Sequence, residues 1–172
     1  MSGLAPIRPA DTPVVETAAP AWHVRGAREE DVAQITGAVA ELLVELGGTP
    51  PPATAMQQAT RALLEDAGAG ALLVAEAEDA IVGVLAVSWQ TAIHVPGRYG
   101  LIQDLWVHQA WRSRAIGAAM IDVLVELMRE RRMTRVEVGL PREGFAGLDA
   151  TTRFYRASGF DPLGPRMRRV IT

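Results

Sequence analysis

The chain has 172 residues, of which 49% are hydrophobic, and a formal net charge of -3. This is enough material for one well-packed core and too little for two comfortable domains. The absence of cysteine excludes disulfides, thiolate nucleophiles and cysteine-ligated metals. No apolar run approaches the about 20 residues that span a bilayer, and the N-terminus lacks the pattern of an export signal. We therefore expect a soluble, cytoplasmic protein without membrane contact.

The charges are distributed unevenly along the chain. Residues 1–90 contain 4 Arg and 12 Asp or Glu, a net charge of -8, and residues 91–172 contain 13 Arg and 8 acidic residues, a net charge of +5. The basic half is expected to face an anion, although a solvated arginine-rich surface would have the same composition.

The first half of the chain predicts a tail, two helices and a hairpin. Residues 1–20 are rich in Pro, Ala and Thr without periodicity, which predicts a flexible tail before a single domain over residues 21–172. A short strand is expected at residues 23–25, and apolar spacings of three and four predict helices over residues 27–46 and 53–66. Two apolar runs, residues 71–77 and 81–90, predict an antiparallel hairpin.

The second half predicts a strand, a helix and a parallel strand. Residues 99–107 (YGLIQDLWV) form a strand whose two faces are both largely apolar, as expected at the centre of a sheet. A helix is predicted over residues 113–131 and a strand over residues 134–140, and this order implies parallel pairing through a crossover. A loop and helix over residues 145–158 and a last strand over residues 166–171 complete the prediction.

The stretch W-R-S-R-A-I-G-A-A-M, residues 111–120, resembles an anion-binding turn. It follows the central strand directly and opens a helix, where unpaired backbone N–H groups and the helix dipole attract phosphate. The alternative is a surface loop in which the arginines are solvated and Gly117 serves helix packing. Short glycine motifs have many false positives.

The order of elements is similar to that of the GNAT family of N-acyltransferases. The motifs that carry the resemblance are H-V-R-G-A-R-E-E-D-V, L-I-Q-D-L-W-V followed by H-Q-A-W-R-S-R-A-I-G-A-A-M, and T-R-F-Y-R-A-S-G-F, within residues 22–171. The resemblance implies an α/β fold with a central, mixed, twisted β-sheet flanked by helices and a V-shaped splay between the fourth and fifth strands.

The resemblance also implies where a CoA thioester binds. The family places the pantetheine arm along the end of the central strand, here Leu105, Trp106 and Val107. The family pattern at the turn matches Arg112 and Gly117, and departs from glycine at Ala115. The cradle that would hold the pyrophosphate of acetyl-CoA consists of Arg112, Ser113, Arg114, Ala115, Ile116, Gly117 and Ala118. A helix start normally has negative φ, so we expect the Ala115 methyl group to be tolerated.

Catalytic groups are carried over from the same resemblance. Tyr155 matches the tyrosine that protonates the departing thiolate in some family members. Many members carry a glutamate base where this chain has Gln103, which cannot accept a proton at neutral pH. Asp104 is the nearest candidate base, provided that a bulge re-aims it. His94 and His108 are alternatives, as is water. No metal is implied.

Three functions remain open on the sequence alone. The first is transfer of an acetyl group from acetyl-CoA to a small-molecule amine by direct attack. The second uses aminoacyl-tRNA as the donor, which the arginine clusters at residues 129–135 and 166–169 would suit. The third is a GNAT-fold binding module without catalysis. A homodimer is also open, since family members often pair through terminal strands.

Overall fold

The computed structural model of the protein describes residues 21–164. The strands are His23–Gly26 (β1), Gly70–Ala77 (β2), Ala80–Thr91 (β3), Arg98–Val107 (β4) and Val136–Val138 (β5). The helices are Val32–Glu45 (α1), Ala53–Glu65 (α2), Ile116–Glu130 (α3) and Leu148–Ala157 (α4). The predicted tail, residues 1–20, and the predicted last strand, residues 166–171, lie outside the described residues.

The five described strands form one mixed sheet in the order β1-β2-β3-β4-β5. The first four pair antiparallel, which confirms the predicted hairpin of β2 and β3. β5 pairs parallel with β4, as predicted from the helix between them. Within residues 21–164, none of the helices has both the length and the apolar character that crossing a membrane requires.

The sheet opens between its fourth and fifth strands. β4 has ten residues, but β5 pairs only with Gly100, Leu101 and Ile102 near its start. From Gln103 to Val107, β4 therefore has no strand partner on this side among the described residues. The expected splay is present, and a ligand entering it can reach unpaired backbone groups of β4.

Helices pack on both faces of the sheet. On one face α3 contributes fully buried side chains, among them Ile116, Met120 and Leu124, to a core that also contains Tyr155 of α4. On the other face α1 places Ile35 against Trp106 and neighbouring strand residues. Trp89 and Trp106 are each only 6% exposed, so both indole rings pack in the interior.

α1 begins five residues later than the sequence predicts. A 3₁₀ turn at Glu29–Asp31 precedes it, because Asp31 faces the sheet. The Asp31 carboxylate accepts two hydrogen bonds from Arg25 at 2.7 and 3.0 Å and one from the Arg28 backbone N–H at 2.7 Å. The Arg25 Nε also donates to Glu76 at 2.5 Å. This nearly buried ion-pair group ties β1, β2 and the start of α1 together.

Candidate active site

A bulge in β4 determines which side chains face the splay. Ala86 pairs with Asp104 and Val87 pairs with Ile102, so Gln103 is the extra residue on β4. Ile102 and Leu105 consequently lie in the same core cluster, three residues apart. The simple alternation expected for this strand is therefore wrong, because a bulge shifts the phase of all following side chains by one residue.

A cavity of about 590 Å³ occupies the splay. Its walls come from the end of α1, the second half of β4, the turn before α3, the segment after β5 and one side of α4. A cavity of this size can enclose a small molecule together with part of a cofactor. The sequence-predicted residues that line it are Leu105, Trp106, Val107, Arg112, Ser113, Ala115, Ile116, Gly117, Ala118 and Tyr155.

One end of the cavity is a row of unsatisfied backbone donors. The N–H groups of Ser113 and of the four residues from Ala115 to Ala118 have no acceptor among residues 21–164, whereas the Arg114 N–H closes a turn at residues 112–113. Ser113 and Ala115 have positive φ values of 62° and 61°, and Arg114 between them does not. Alternation of this kind turns successive N–H groups toward one concave surface, which is a preferred anion site. The partial positive charge at the N-terminus of α3 adds to it.

The conformation of Ala115 differs from the expectation. The residue is the N-cap of α3 with φ 61° and ψ 9°, whereas a negative φ was expected. The left-handed conformation at positions 113 and 115 also explains why α3 begins at Ile116 rather than at Ser113. Position 115 is thus a place where glycine would be unstrained, and the alanine keeps the cradle geometry at an energetic cost.

Arg112 is held by protein groups. Its two terminal nitrogens donate to the Glu45 carboxylate at 2.9 and 2.6 Å, and its Nε donates to the Val107 carbonyl at 3.0 Å. This partnership raises the pKa of Arg112 and lowers that of Glu45, chiefly through the side-chain hydrogen bonds. Arg112 therefore connects the end of α1, the end of β4 and the cradle, and its charge is already neutralised.

Arg114 is the cation that stays available at the cradle. Its guanidinium lies 4.6 Å from the centre of the Trp111 ring, and its side chain is exposed. No carboxylate within residues 21–164 lies close enough to form a salt bridge with it. Stacking on the indole positions the charge without neutralising it.

The small residues of the first α3 turn allow close packing there. A Cβ at Gly117 would lie 3.1 Å from the Phe154 ring of α4, so glycine permits α4 to approach the cradle. Ile116 is 1% exposed, which means that only its backbone N–H can serve a ligand. Gly117 can therefore allow α4 to pack closely and, at the same time, present its backbone N–H to a ligand.

Tyr155 lies on the cavity wall opposite β4. Its ring packs edge-on against Phe154 and Phe160, with centroid distances of 5.1 and 5.3 Å, and it is 8% exposed. Burial, with a smaller contribution from the negative charge of Asp104, raises the pKa of Tyr155 to about 12. The phenol therefore keeps its proton at neutral pH, as a hydrogen-bond donor or general acid must.

The candidate bases do not converge on the cavity. Gln103 lines it, and its Nε2 donates to Ser88 Oγ at 2.7 Å. Asp104 is not among the lining residues, although burial raises the pKa of its carboxyl. His94 and His108 are exposed, and neither lines this cavity. The bulge that the Asp104 prediction required is present, and the charge of Asp104 acts on Tyr155, so Asp104 as the base stays a prediction.

Several residues of the site had no signal in the sequence. Glu45 reaches Arg112 across 67 positions, and Leu46, Pro141 and Phe145 complete the cavity wall from distant elements. Only the helix periodicity hinted that one side of α1 would be covered. Among residues 21–164, no group of three or more His, Asp or Glu residues is arranged to hold a metal ion.

Solved structures with a similar fold include several acetyltransferases. A possible acetyltransferase from Clostridium difficile 630 superposes with a TM-score of 0.74 at 18% identity, covering 88% of this chain and 97% of its own. A predicted acetyltransferase with acetyl-CoA from Clostridium acetobutylicum gives a TM-score of 0.71 at 18% identity, covering 87% and 96%. An aminoglycoside acetyltransferase from an uncultured soil metagenomic sample gives 0.69 at 18% identity, covering 88% and 97%.

The family assignment depends on the sequence match. No curated protein matches the chain, and identities near 18% show the fold alone. The pattern of the acetyltransferase (GNAT) family, however, matches residues 39–160, which contain the sheet opening, the cradle and Tyr155. The expected α/β fold is confirmed, and the chain belongs to the GNAT acetyltransferase family.

Proposed function

We propose that the protein transfers an acetyl group from acetyl-CoA to the primary amine of a small molecule by direct attack. The observation that carries the proposal is the set of free N–H groups of Ser113 and of Ala115 to Ala118 at one end of a cavity that is also lined by Tyr155. An anion site and a protonated acid then face the same enclosed space, as acyl transfer from a diphosphate-bearing thioester requires.

The chain's own groups fit the donor. The N–H row and the exposed guanidinium of Arg114 suit a diphosphate. The β4 edge from Leu105 to Val107, which lacks a partner strand on this side within residues 21–164, can hydrogen-bond an extended amide-containing arm. The Ala115 methyl group does not close the cradle, because the residue has adopted the left-handed conformation that glycine would take.

The proposed chemistry needs no covalent enzyme intermediate, in keeping with the absence of cysteine. The neutral amine nitrogen bonds to the acetyl carbon, the carbon–sulfur bond breaks, and the thiolate is the leaving group. Tyr155 donates its hydrogen bond to this sulfur, where negative charge develops. The amine proton leaves to solvent or to a group not yet assigned, since Gln103 cannot accept it.

Aminoacyl-tRNA is the alternative donor, and the described residues give it less support. Within the arginine cluster of residues 129–135, Arg129 pairs with Glu126, and Arg131 packs over Trp89 and bonds the Ala67 carbonyl. The cluster lies at the C-terminal end of α3, 15 residues long, which is about 22 Å from the cradle. A tRNA would have to contact both ends.

Calorimetric titration with acetyl-CoA and with uncharged tRNA tests the donor. We expect acetyl-CoA to bind and Arg114→Ala to weaken it by about tenfold, the scale of one charge-assisted hydrogen bond. Arg132→Ala, an exposed change at the far end of α3, is the matched control and should leave the affinity unchanged. Salt-sensitive tRNA binding that Arg132→Ala weakens, without acetyl-CoA binding, would make the tRNA donor correct.

Turnover separates an enzyme from a binding module. Release of CoA in the presence of amines, followed with a thiol reagent, is the expected result. Acetyl-CoA binding without CoA release from any amine would favour the non-catalytic module. The cytoplasmic location and the homodimer stay predictions, which fractionation and light scattering would check.

A further inference from the structure

We infer that the acceptor is a monoamine with an apolar body, and that polycationic amines are poor substrates. The inference rests on the proposed acetyl transfer and concerns the part of the cavity lining outside the cradle. It follows from the charge of the lining, from its apolar side chains, and from the absence of any carboxylate other than the paired Glu45 among the described lining residues.

Among residues 21–164, no lining residue of the cavity offers a free negative charge to a cation. Only Glu45 and Arg112 of these lining residues are charged, and they neutralise each other at 2.6 Å. A polyamine brings several ammonium groups, each of which would lose water here without gaining a partner, and burial of unpaired charge is strongly unfavourable.

Outside the cradle the lining of the cavity is largely apolar, and we call this part the apolar wall. It includes Leu42 and the C-cap residue Leu46 of α1, Ile102 of β4, Val138 of β5, and Pro141 and Phe145 of the following segment. Of the two polar side chains nearby, Gln103 donates to Ser88 Oγ, and Thr151 carries no charge. Binding a hydrocarbon or aromatic group against such a surface is favourable, because it removes apolar area from water.

The same wall can supply the neutral amine. An apolar environment lowers the pKa of an ammonium group, because burial penalises its charged form. No lining carboxylate stands ready to remove the proton, so desolvation of a single ammonium is the available route to a nucleophile. A monoamine has one ammonium group to desolvate. A polyamine would also have to desolvate ammonium groups that never react.

The position of Arg142, which follows the lining residue Pro141, agrees with this assignment. Arg142, in the segment after β5, lies against the end of α1, so close that a Cβ at Gly47 would be 2.7 Å from its Nη2. A cationic side chain therefore bridges the two sides of the splay beside the apolar wall. It repels a second or third ammonium group but leaves a neutral body unaffected.

The experiment compares 2-phenylethylamine with the aminoglycoside kanamycin, in two assays on the full chain. Direct calorimetric binding of each amine needs no donor, and CoA release is measured with acetyl-CoA. We expect phenylethylamine to bind more tightly and to react with a kcat/KM at least about tenfold higher, the scale on which an apolar pocket discriminates. Equal or better binding and turnover of kanamycin would overturn the inference.

A pair of α1 variants locates the effect. Leu46→Glu puts a carboxylate into the apolar wall and should reduce the preference for phenylethylamine by about tenfold. Val44→Glu adds the same charge to the same helix at a side chain that is 60% exposed and lies outside this cavity, and should leave the preference unchanged. Equal effects of the two variants would contradict the assignment of the wall.

Two further results have defined meanings. If hexanoyl-CoA reacts faster than acetyl-CoA while phenylethylamine has no advantage, the wall holds the acyl chain and the inference is wrong. If acetyl-CoA does not bind, the proposed function fails, and the donor-free titrations still decide which amine the cavity prefers.

Discussion

Replacing Ala115 with glycine should stabilise the protein, although glycine usually destabilises. Ala115 has φ 61° and ψ 9° at the N-cap of α3, a conformation in which Cβ crowds the following carbonyl oxygen. The prediction follows from this one dihedral angle, and it bears directly on whether the cradle is maintained against local strain.

The magnitude comes from two opposing effects. A left-handed conformation costs a non-glycine residue about 1–2 kcal/mol, which the substitution would recover. Glycine gives the unfolded chain more freedom, which costs about 0.5–1 kcal/mol. The free energy of unfolding should therefore rise by about 0.5–1 kcal/mol. In a chain of this size, each kcal/mol raises Tm by about 2–4 °C.

Urea denaturation with a matched control measures the effect. Ala119→Gly lies four residues away in the interior of α3, where glycine should lower the free energy of unfolding by about 1 kcal/mol. The two alanine-to-glycine changes are thus expected to have opposite signs. A loss of stability in Ala115→Gly as large as that in Ala119→Gly would refute the argument from φ. Acetyl-CoA affinity should be retained or improved in Ala115→Gly.

Three further predictions concern the acid, the ion pair at the cradle and the ion pair under α1. Tyr155→Phe should lower kcat by about a hundredfold at unchanged donor Kd, and an unchanged kcat would remove the phenol from catalysis. Arg112→Ala should weaken acetyl-CoA binding because Glu45 is left unpaired near the diphosphate, and adding Glu45→Gln should restore most of it; a double variant as weak as the single one would indicate a direct Arg112–phosphate contact instead. Asp31→Asn should lower the free energy of unfolding by about 3 kcal/mol at neutral pH. Arg25 lowers the pKa of Asp31 in the folded state. The native protein should therefore lose this extra free energy of unfolding as the pH falls below about 4, while the variant should not. Parallel curves of stability against pH would contradict the assignment.

The regular elements were predictable because they are local. Apolar spacing located α1, α2 and α3, and uninterrupted apolar runs located the β2–β3 hairpin and β4. The predicted strand over residues 134–140 is shorter in the structure, Val136–Val138, because β5 leaves β4 where the splay begins. Periodicity reports which residues can be buried, and it carries no information about where two strands separate.

The site was predictable in part. The turn at residues 112–118 and Tyr155 were identified by their resemblance to family motifs, and the structure brings them to one cavity. The facing of Gln103 and Asp104 could not be read from alternation, because one bulged residue reverses the phase of the strand. The different roles of Arg112 and Arg114 could not be predicted from the sequence either. Only the tertiary structure shows that Glu45 neutralises Arg112 and that Arg114 stacks on Trp111.

The sequence by itself determined the order of strands and helices, the absence of thiol chemistry and the position of the turn that we propose binds an anion, because each depends on residues close together in the chain. Only the tertiary structure decided the left-handed backbone at Ala115, the pairing of Arg112 with Glu45 and the apolar wall of the cavity. These features depend on which elements pack together. A charge is paired, or an apolar surface is covered, only by residues that folding brings next to it.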